Sequence, residues 1–185
     1  MIKELLQESE EHMLKAIEAL ETDLRTIRTG RASPALVERV MVEYYGTPTP
    51  LNRLAVISAP EPQLLTIRPY DPKSLNDIER AILKSELGLT PSSDGRIIRL
   101  PIPRLTEERR QELARLVRQR VEEGKVALRN IRRDALDTLR DFEKEKMISE
   151  DEFYRAKDEL QELTDRYIEQ MDEISSRKQR ELLEG

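Results

Sequence analysis

All ten prolines of the chain fall between Pro34 and Pro103, and no other feature restricts the fold as strongly. Proline fixes φ, lacks an amide donor and breaks helices. The residues before Pro34 and after Pro103 are therefore open to long helices, while the stretch between them is not. Four of the six glycines (Gly30, Gly46, Gly88 and Gly95) lie in or at the edge of the same stretch, where turns are needed. The reading is an α+β protein. Residues 1–29 and 105–185 are helical arms, and residues 30–104 form an inserted mixed α/β domain.

Hydrophobic spacing assigns the arms. In the first, Ile2, Leu6, Met13, Ile17, Leu20, Leu24 and Ile27 are separated by gaps of mostly 3 and 4, with Gly30 as the expected C-cap. In the second, Thr106 is placed to cap a helix whose seam runs Leu113, Val117, Val121, Leu128, Ile131, Ala135, Leu139 and Phe142. That pattern ends near Lys146. Ser149 and Glu152 then form a capping box, and a third seam follows at Phe153, Ala156, Leu160, Leu163, Tyr167, Met171 and Ile174. None of these helices can bury its apolar stripe alone, which predicts an antiparallel three-helix bundle. The longest helix spans roughly 60 Å at 1.5 Å per residue.

Within the insert, residues 40–45, 55–59, 64–68 and 96–102 are β-branched or apolar runs bounded by turn formers, and residues 74–87 read as a helix. Two short connections join insert and bundle. Gly30 and Arg31 lie on one, and Pro103, Arg104 and Leu105 on the other. Paired connections rich in glycine and proline are the material of a hinge.

The chain lacks most catalytic machinery. It has no cysteine and a single histidine, His12, so thiol chemistry, His-based triads and multi-His or Cys metal sites are excluded. No Gly-rich phosphate loop and no nucleophile elbow occurs. No apolar run approaches the length of a membrane span, and the start Met1-Ile2-Lys3-Glu4 resembles no targeting peptide. The expectation is a cytoplasmic monomer that is not an enzyme, with no cofactor, metal, membrane or small-molecule substrate.

The formal charge of −5 is unevenly distributed. Net charge is −3 over residues 1–29, +2 over 30–104, +4 over 105–133 and −8 over 134–185. The second helix is a basic block in an acidic protein. Arg118, Lys125, Arg129 and Arg132 are spaced 7, 4 and 3 apart on one side of it, with Arg133 adjoining. A ridge of planar guanidinium forks suits a nucleic-acid backbone. The competing reading is a solvated face bridged to the acidic third helix. Arg129 has no acid three or four positions away, which favours binding, with an exposed Arg132. Aromatics are only 4% of the chain, so contact with the backbone and shape of structured RNA fits better than base stacking. Tyr44 and Tyr45, consecutive on a strand, are expected to face opposite sides. Long helices beside a small β-rich domain also suit a dimeric co-chaperone, but the cap at Ser149 argues for folding back within one chain.

Particular residues add what periodicity does not. Arg28-Thr29-Gly30-Arg31-Ala32-Ser33-Pro34-Ala35-Leu36 precedes Val42-Glu43-Tyr44-Tyr45-Gly46-Thr47-Pro48-Thr49-Pro50-Leu51. Leu87-Gly88-Leu89-Thr90-Pro91, Pro103-Arg104-Leu105-Thr106-Glu107-Glu108-Arg109-Arg110 and Arg129-Asn130-Ile131-Arg132-Arg133-Asp134 follow in order. In this order the chain resembles the bacterial ribosome recycling factor family over essentially its full length. The resemblance implies an L-shaped molecule with a hinged α/β domain. It also implies binding to the post-termination ribosome and separation of the subunits with elongation factor G and its GTP hydrolysis. By matching position, it points to Arg129, Arg132 and Arg133 for large-subunit ribosomal RNA near the intersubunit bridges, Arg132 first, with Arg28 and Arg31 flanking the hinge. It turns the domain carrying Tyr44 and Tyr45 toward elongation factor G.

Overall fold

The computed structural model describes residues 1–184, and its contacts divide the chain into two units. One comprises Met1–Arg28 with Glu107–Glu184, and the other Thr29–Thr106.

The first unit contains α1 (Ile2–Arg25), α3 (Glu107–Lys144) and α4 (Glu150–Glu184). The seams meet in a core that includes Met13, Leu20, Val117, Leu128, Leu139, Leu160 and Met171. Ile131, Phe142 and Ile174 are only half-buried, and Ser9, Thr164 and Ser175 are buried among the apolar residues instead. These polar groups are satisfied. The Ser9 and Thr164 hydroxyls donate to the carbonyls of Leu5 and Leu160 at 2.8 and 2.7 Å, and Ser175 Oγ accepts from Gln179 at 2.8 Å. The Tyr167 hydroxyl donates to Glu10 at 2.8 Å, tying α4 to α1. Burial, reinforced by that carboxylate, pushes the phenol up to about 12.

The α3–α4 connection is set by its own sequence. Lys146 adopts a left-handed φ of 61°. The Met147 N–H reaches Phe142 O at 2.8 Å and the Lys146 N–H reaches Glu143 O at 2.9 Å, the two bonds of a Schellman cap. Ser149 and Glu152 then exchange both capping-box bonds, at 3.2 and 3.1 Å. With an end and a start so close, α4 folds back along α3. At the other end, the expected cap at Gly30 is displaced. The helix stops at Arg25, and Thr26 caps it, its hydroxyl donating to Asp23 O at 2.6 Å. Gly124 marks close packing, since a Cβ there would lie 3.1 Å from Met171 Sδ and 3.6 Å from Leu20 Cδ2.

The second unit places α2 (Leu75–Lys84) against a hairpin of β1 (Met41–Tyr44) and β2 (Thr47–Pro50). A four-stranded antiparallel sheet has the order β3–β4–β6–β5, formed by Ala55–Glu61, Leu64–Pro69, Ile98–Pro101 and Ser92–Ser93. Val42, Leu65, Ile67, Ile78, Ile82, Ile98 and Leu100 make the core. Strand β2 escapes sequence reading because Pro48 and Pro50 interrupt it. They oppose Glu43 and Met41, the sites where a two-residue hairpin requires no ladder N–H. The helix expected to Leu87 ends at Ser85, whose hydroxyl donates to Ile82 O at 2.6 Å.

Asp94 organises the turn before β6. Its carboxylate accepts the backbone N–H groups of Ile97 and Arg96, each at 2.9 Å, and the Arg99 guanidinium at 3.2 Å. The Ile97 and Arg96 N–H groups, aided by Arg99, hold its pKa at about 2, against 3.8 ordinarily. A depressed folded-state pKa stabilises above the unfolded value and is lost as pH falls through the folded one. The small unit should therefore lose this turn's contribution between roughly pH 4 and 2. Thermal melts across that range should show the loss, and Asp94→Asn should flatten it.

Candidate nucleic-acid interface

The basic ridge occupies the shoulder of α3 beside α4, and the structure resolves it into two rows. Arg118, Lys125 and Arg132, seven residues apart, lean across to α4. Arg118 Nη1 donates to Gln179 Oε1 at 2.9 Å, Lys125 Nζ pairs with Asp172 Oδ1 at 2.5 Å, and Arg132 Nη1 donates to Gln161 Oε1 at 3.1 Å. Arg129 and Arg133 stand further out and are exposed. Arg129 reaches Glu122 at 3.3 Å, two helical turns earlier, and Arg133 lies 4.0 Å from Asp134.

Two sequence expectations change. Arg132 is half-buried rather than exposed, because its stem lies along α4 to reach Gln161. Bridging to the acidic helix is real but sparse: Lys125 meets a carboxylate, whereas Arg118 and Arg132 meet neutral glutamines. A guanidinium has five N–H donors, so one bond to an amide leaves most of the fork for a further acceptor. Exposed ion pairs contribute roughly 0–1 kcal/mol, so a phosphate can displace them. The ridge is held in place: Lys125, Arg129 and Arg133 each lie beside a carboxylate, and Arg118 and Arg132 are steadied by neutral glutamines.

Arg115 and Arg140 extend the ridge beyond the residues that the sequence spacing of 7, 4 and 3 marks. They fall 14 positions before and 11 after Arg129, on the same line, and both are exposed. Spacings of 7 and 11 return to one helix face, and that signal was available. The line from Arg115 to Arg140 is about 37 Å long. Tyr154, 53% exposed, sits seven residues before Gln161 with its ring edge-on to Phe153 at 5.3 Å. The outward acids of α4, including Asp158, Glu162, Asp165, Glu169 and Glu173, are exposed. A polyanion is therefore attracted to the α3 shoulder and repelled by the outer face of α4.

The connecting segments carry the remaining candidates. Gly30 has φ +80°, and a Cβ there would lie 3.1 Å from Leu105 Cγ. One turn, between β3 and β4, fastens both segments. Gln63 Nε2 donates to Gly30 O at 3.1 Å, the Ala32 N–H donates to Pro62 O at 2.7 Å, and the Ile102 N–H donates to Gln63 O at 2.8 Å. Gln63 had given no sequence signal. Arg31, Pro103 and Arg104 are exposed and Leu105 is half-buried. Arg28 is half-buried, and its Nε and Nη2 are enclosed without a hydrogen-bond partner among the described residues. It presents less of its fork than the α3 arginines do.

Tyr44 and Tyr45 do not point apart as expected. Tyr45 and Gly46 both have left-handed φ, 50° and 78°, and the chain reverses there. The Tyr45 ring turns back edge-on to Tyr44 at 4.6 Å. The Tyr44 hydroxyl donates to Asp71 Oδ2 at 3.2 Å, and partial burial followed by that carboxylate raises the phenol above its ordinary value. Among the described residues no cluster of His, Cys, Asp or Glu is arranged to hold a metal, and no helix is long and apolar enough to cross a membrane.

Comparison with known proteins gives concordant matches. The sequence model of the family described as "Ribosome recycling factor" matches residues 20–183. The ribosome-recycling factor of Roseiflexus castenholzii is 60% identical over 184 residues, covering 100% of both chains. That of Carboxydothermus hydrogenoformans is 57% identical over 183 residues, covering 99% of each. A solution structure of the ribosome recycling factor superposes with a TM-score of 0.75 at 41% identity, covering 100% of this chain and 98% of the other. The T. thermophilus ribosome recycling factor, from models of it and E. coli elongation factor G bound to the E. coli post-termination complex, matches with a TM-score of 0.64. It is 49% identical, with 99% of each chain covered.

Proposed function

The chain belongs to the ribosome recycling factor family, and from that premise we propose that it binds the post-termination ribosome and, with elongation factor G, separates the subunits for reuse. The observation that carries this reading is full-length likeness to recycling factors, one of them placed with elongation factor G on such a complex. The protein works as a cytoplasmic monomer and does no bond-making itself; GTP is hydrolysed by the elongation factor.

The work is mechanical. Arg129, Arg132 and Arg133, extended by Arg115, Arg118, Lys125 and Arg140, lie against the phosphates of large-subunit ribosomal RNA near the intersubunit bridges. Arg31 assists at the hinge, and Arg28 contributes less. Lys125 exchanges Asp172 for phosphate. The elongation factor pushes on the smaller unit, and the helical unit transmits the force. Because the β3–β4 turn grips both Ala32 and Ile102, those residues move with the smaller unit. Bending is thereby concentrated in residues 26–31 and 103–106, around Gly30, Arg31, Pro103, Arg104 and Leu105, and it must stretch or break the bond from Gln63 Nε2 to Gly30 O.

Hydroxyl-radical probing of ribosomal RNA in the complex tests the docking. A protected band on the intersubunit face of the large subunit, weakened by Arg132→Ala, is expected. Protection that is unchanged by Arg132→Ala and by Arg129→Ala would remove the ridge from the interface.

A further inference from the structure

The four-stranded sheet of the second unit covers its core with one face and leaves the other open. Burial alternates along the strands. Leu65, Ile67, Ile98 and Leu100 are buried, whereas Val56, Ser58, Arg68 and Arg99 are exposed, with Thr66 half-buried. Register sets Ser58, Thr66, Arg99 and Ser92 side by side in one row across all four strands, about 14 Å at the usual strand spacing. Val56 and Arg68 face each other in a neighbouring row. The alternation continues past the end of β4 to Tyr70, which is 66% exposed and whose N–H bonds Leu54 O at 2.9 Å. Solvation accounts for a polar outer face. It does not account for an open tyrosine and an open valine on either side of Arg68, which has no ion pair or hydrogen bond from its guanidinium among the described residues.

We infer that this sheet face binds an unpaired stretch of RNA, with a base stacked on Tyr70 and the neighbouring phosphates held by Arg68 and Arg99. In the four strands and the turns joining β3 to β4 and β5 to β6, the charged residues are Arg68, Arg96 and Arg99 against Glu61 and Asp94. Asp94 is committed to its turn, where it takes one Arg99 nitrogen at 3.2 Å and leaves the rest of that fork free to donate. Glu61 lies opposite Leu64, four residues from Arg68 along β4, or about 13 Å. The Asp71 carboxylate, next to Tyr70 in sequence, is occupied by the Tyr44 hydroxyl and the Lys73 N–H. The hydroxyls of Ser58, Thr66 and Ser92 add short donors that lose little rotamer freedom on binding. An aromatic ring accepts the π-face of any base, and arginine takes the phosphate beside it. A duplex hides those faces, so the ligand is unpaired. For the choice of RNA the inference rests on the recycling reading, since a ribosome offers RNA; the contact itself does not.

The full chain, isotope-labelled, is titrated with a single-stranded RNA of about ten nucleotides and followed by NMR, which separates this face from the α3 ridge residue by residue. The amides of Ser58, Thr66, Arg68, Tyr70 and Arg99 should shift together. In Tyr70→Ala the affinity read from these amides should fall about tenfold, and Tyr70→Phe, which keeps the ring, should stay within about twofold of the original. Arg68→Ala should weaken binding about threefold and make its salt dependence shallower. Urea midpoints of all three should match the unsubstituted chain; if Tyr70→Ala melts early, Arg68→Ala, which removes no bond, decides. An RNA duplex of the same length should shift α3 and leave the sheet nearly unmoved. Shifts confined to α3 at about 1 mM single-stranded RNA, above the usual range of non-specific dissociation constants, would overturn the inference. Unchanged affinity in both Tyr70→Ala and Arg68→Ala would overturn it too, as would a duplex that shifts the sheet as strongly as the single strand. None of these readouts involves subunit splitting, so a failure to split ribosomes counts against the recycling reading alone.

Discussion

Replacing Arg129, Arg132 and Arg133 together by alanine should weaken binding to the ribosome by about a hundredfold at 0.1 M salt. It should also reduce the slope of log affinity against log salt by about 2–3. Each cation that neutralises a phosphate releases condensed counterions, so the slope counts phosphate contacts in a way that bare affinity does not. The fold should survive. Arg129 and Arg133 are exposed, and the bond from Arg132 reaches an exposed Gln161 whose Nε2 remains on Asp165 at 2.8 Å. The triple variant should therefore lose no more than about 1–2 kcal/mol of stability. Leu128→Ala, at a fully buried core position, should lose about 2–5 kcal/mol while leaving the salt slope unchanged. Cosedimentation across a salt series, with urea melts of the same samples, separates the two. A triple variant that melts like Leu128→Ala, or keeps the original slope, would make the ridge a brace between α3 and α4.

Gly30→Val should abolish most of the splitting while leaving binding nearly intact. Valine at φ +80° is forced into the left-handed region and meets Leu105 Cγ at 3.1 Å, a combined strain of about 1–3 kcal/mol or more. The chain relieves it by shifting Leu105 or the segment that Gln63 holds, and either shift alters the proposed hinge. Gly30→Asn tolerates the same φ and separates backbone strain from simple loss of glycine. The expected order of splitting rates at saturating protein is Gly30, then Asn, then Val, with affinities for the ribosome within about twofold of one another. Parallel losses of affinity and rate across the series would place Gly30 in the binding surface and remove the hinge from the mechanism.

Much of this arrangement is legible in the sequence. Gaps of 3 and 4 marked α1, α3 and α4, and the Ser149–Glu152 pair marked where α4 begins, because both signals are local in sequence. Strands β1, β3, β4 and β6 were legible from their β-branched runs. What escaped depends on register between elements. Pro48 and Pro50 disguise β2 until it is known which residues they face. The spacing of Arg118, Lys125 and Arg132 places them on one side of α3, but not beside Gln179, Asp172 and Gln161. The half-buried state of Arg132 follows from those neighbours. The left-handed turn at Tyr45 is masked in the sequence, because two tyrosines in succession favour β structure and Gly46 is the one local sign of a turn. Gln63 gave no signal, since its role lies in grasping backbone atoms 33 and 39 residues away.

Subunit separation is the most direct measurement of the central claim. Purified post-termination ribosomes are mixed with elongation factor G and GTP, with and without this protein, and light scattering is followed. The account predicts a fall in scattering that requires all three components and is slowed by Arg132→Ala. Tight binding to the ribosome with no fall in scattering, under conditions where a known recycling factor splits the same ribosomes, would contradict it.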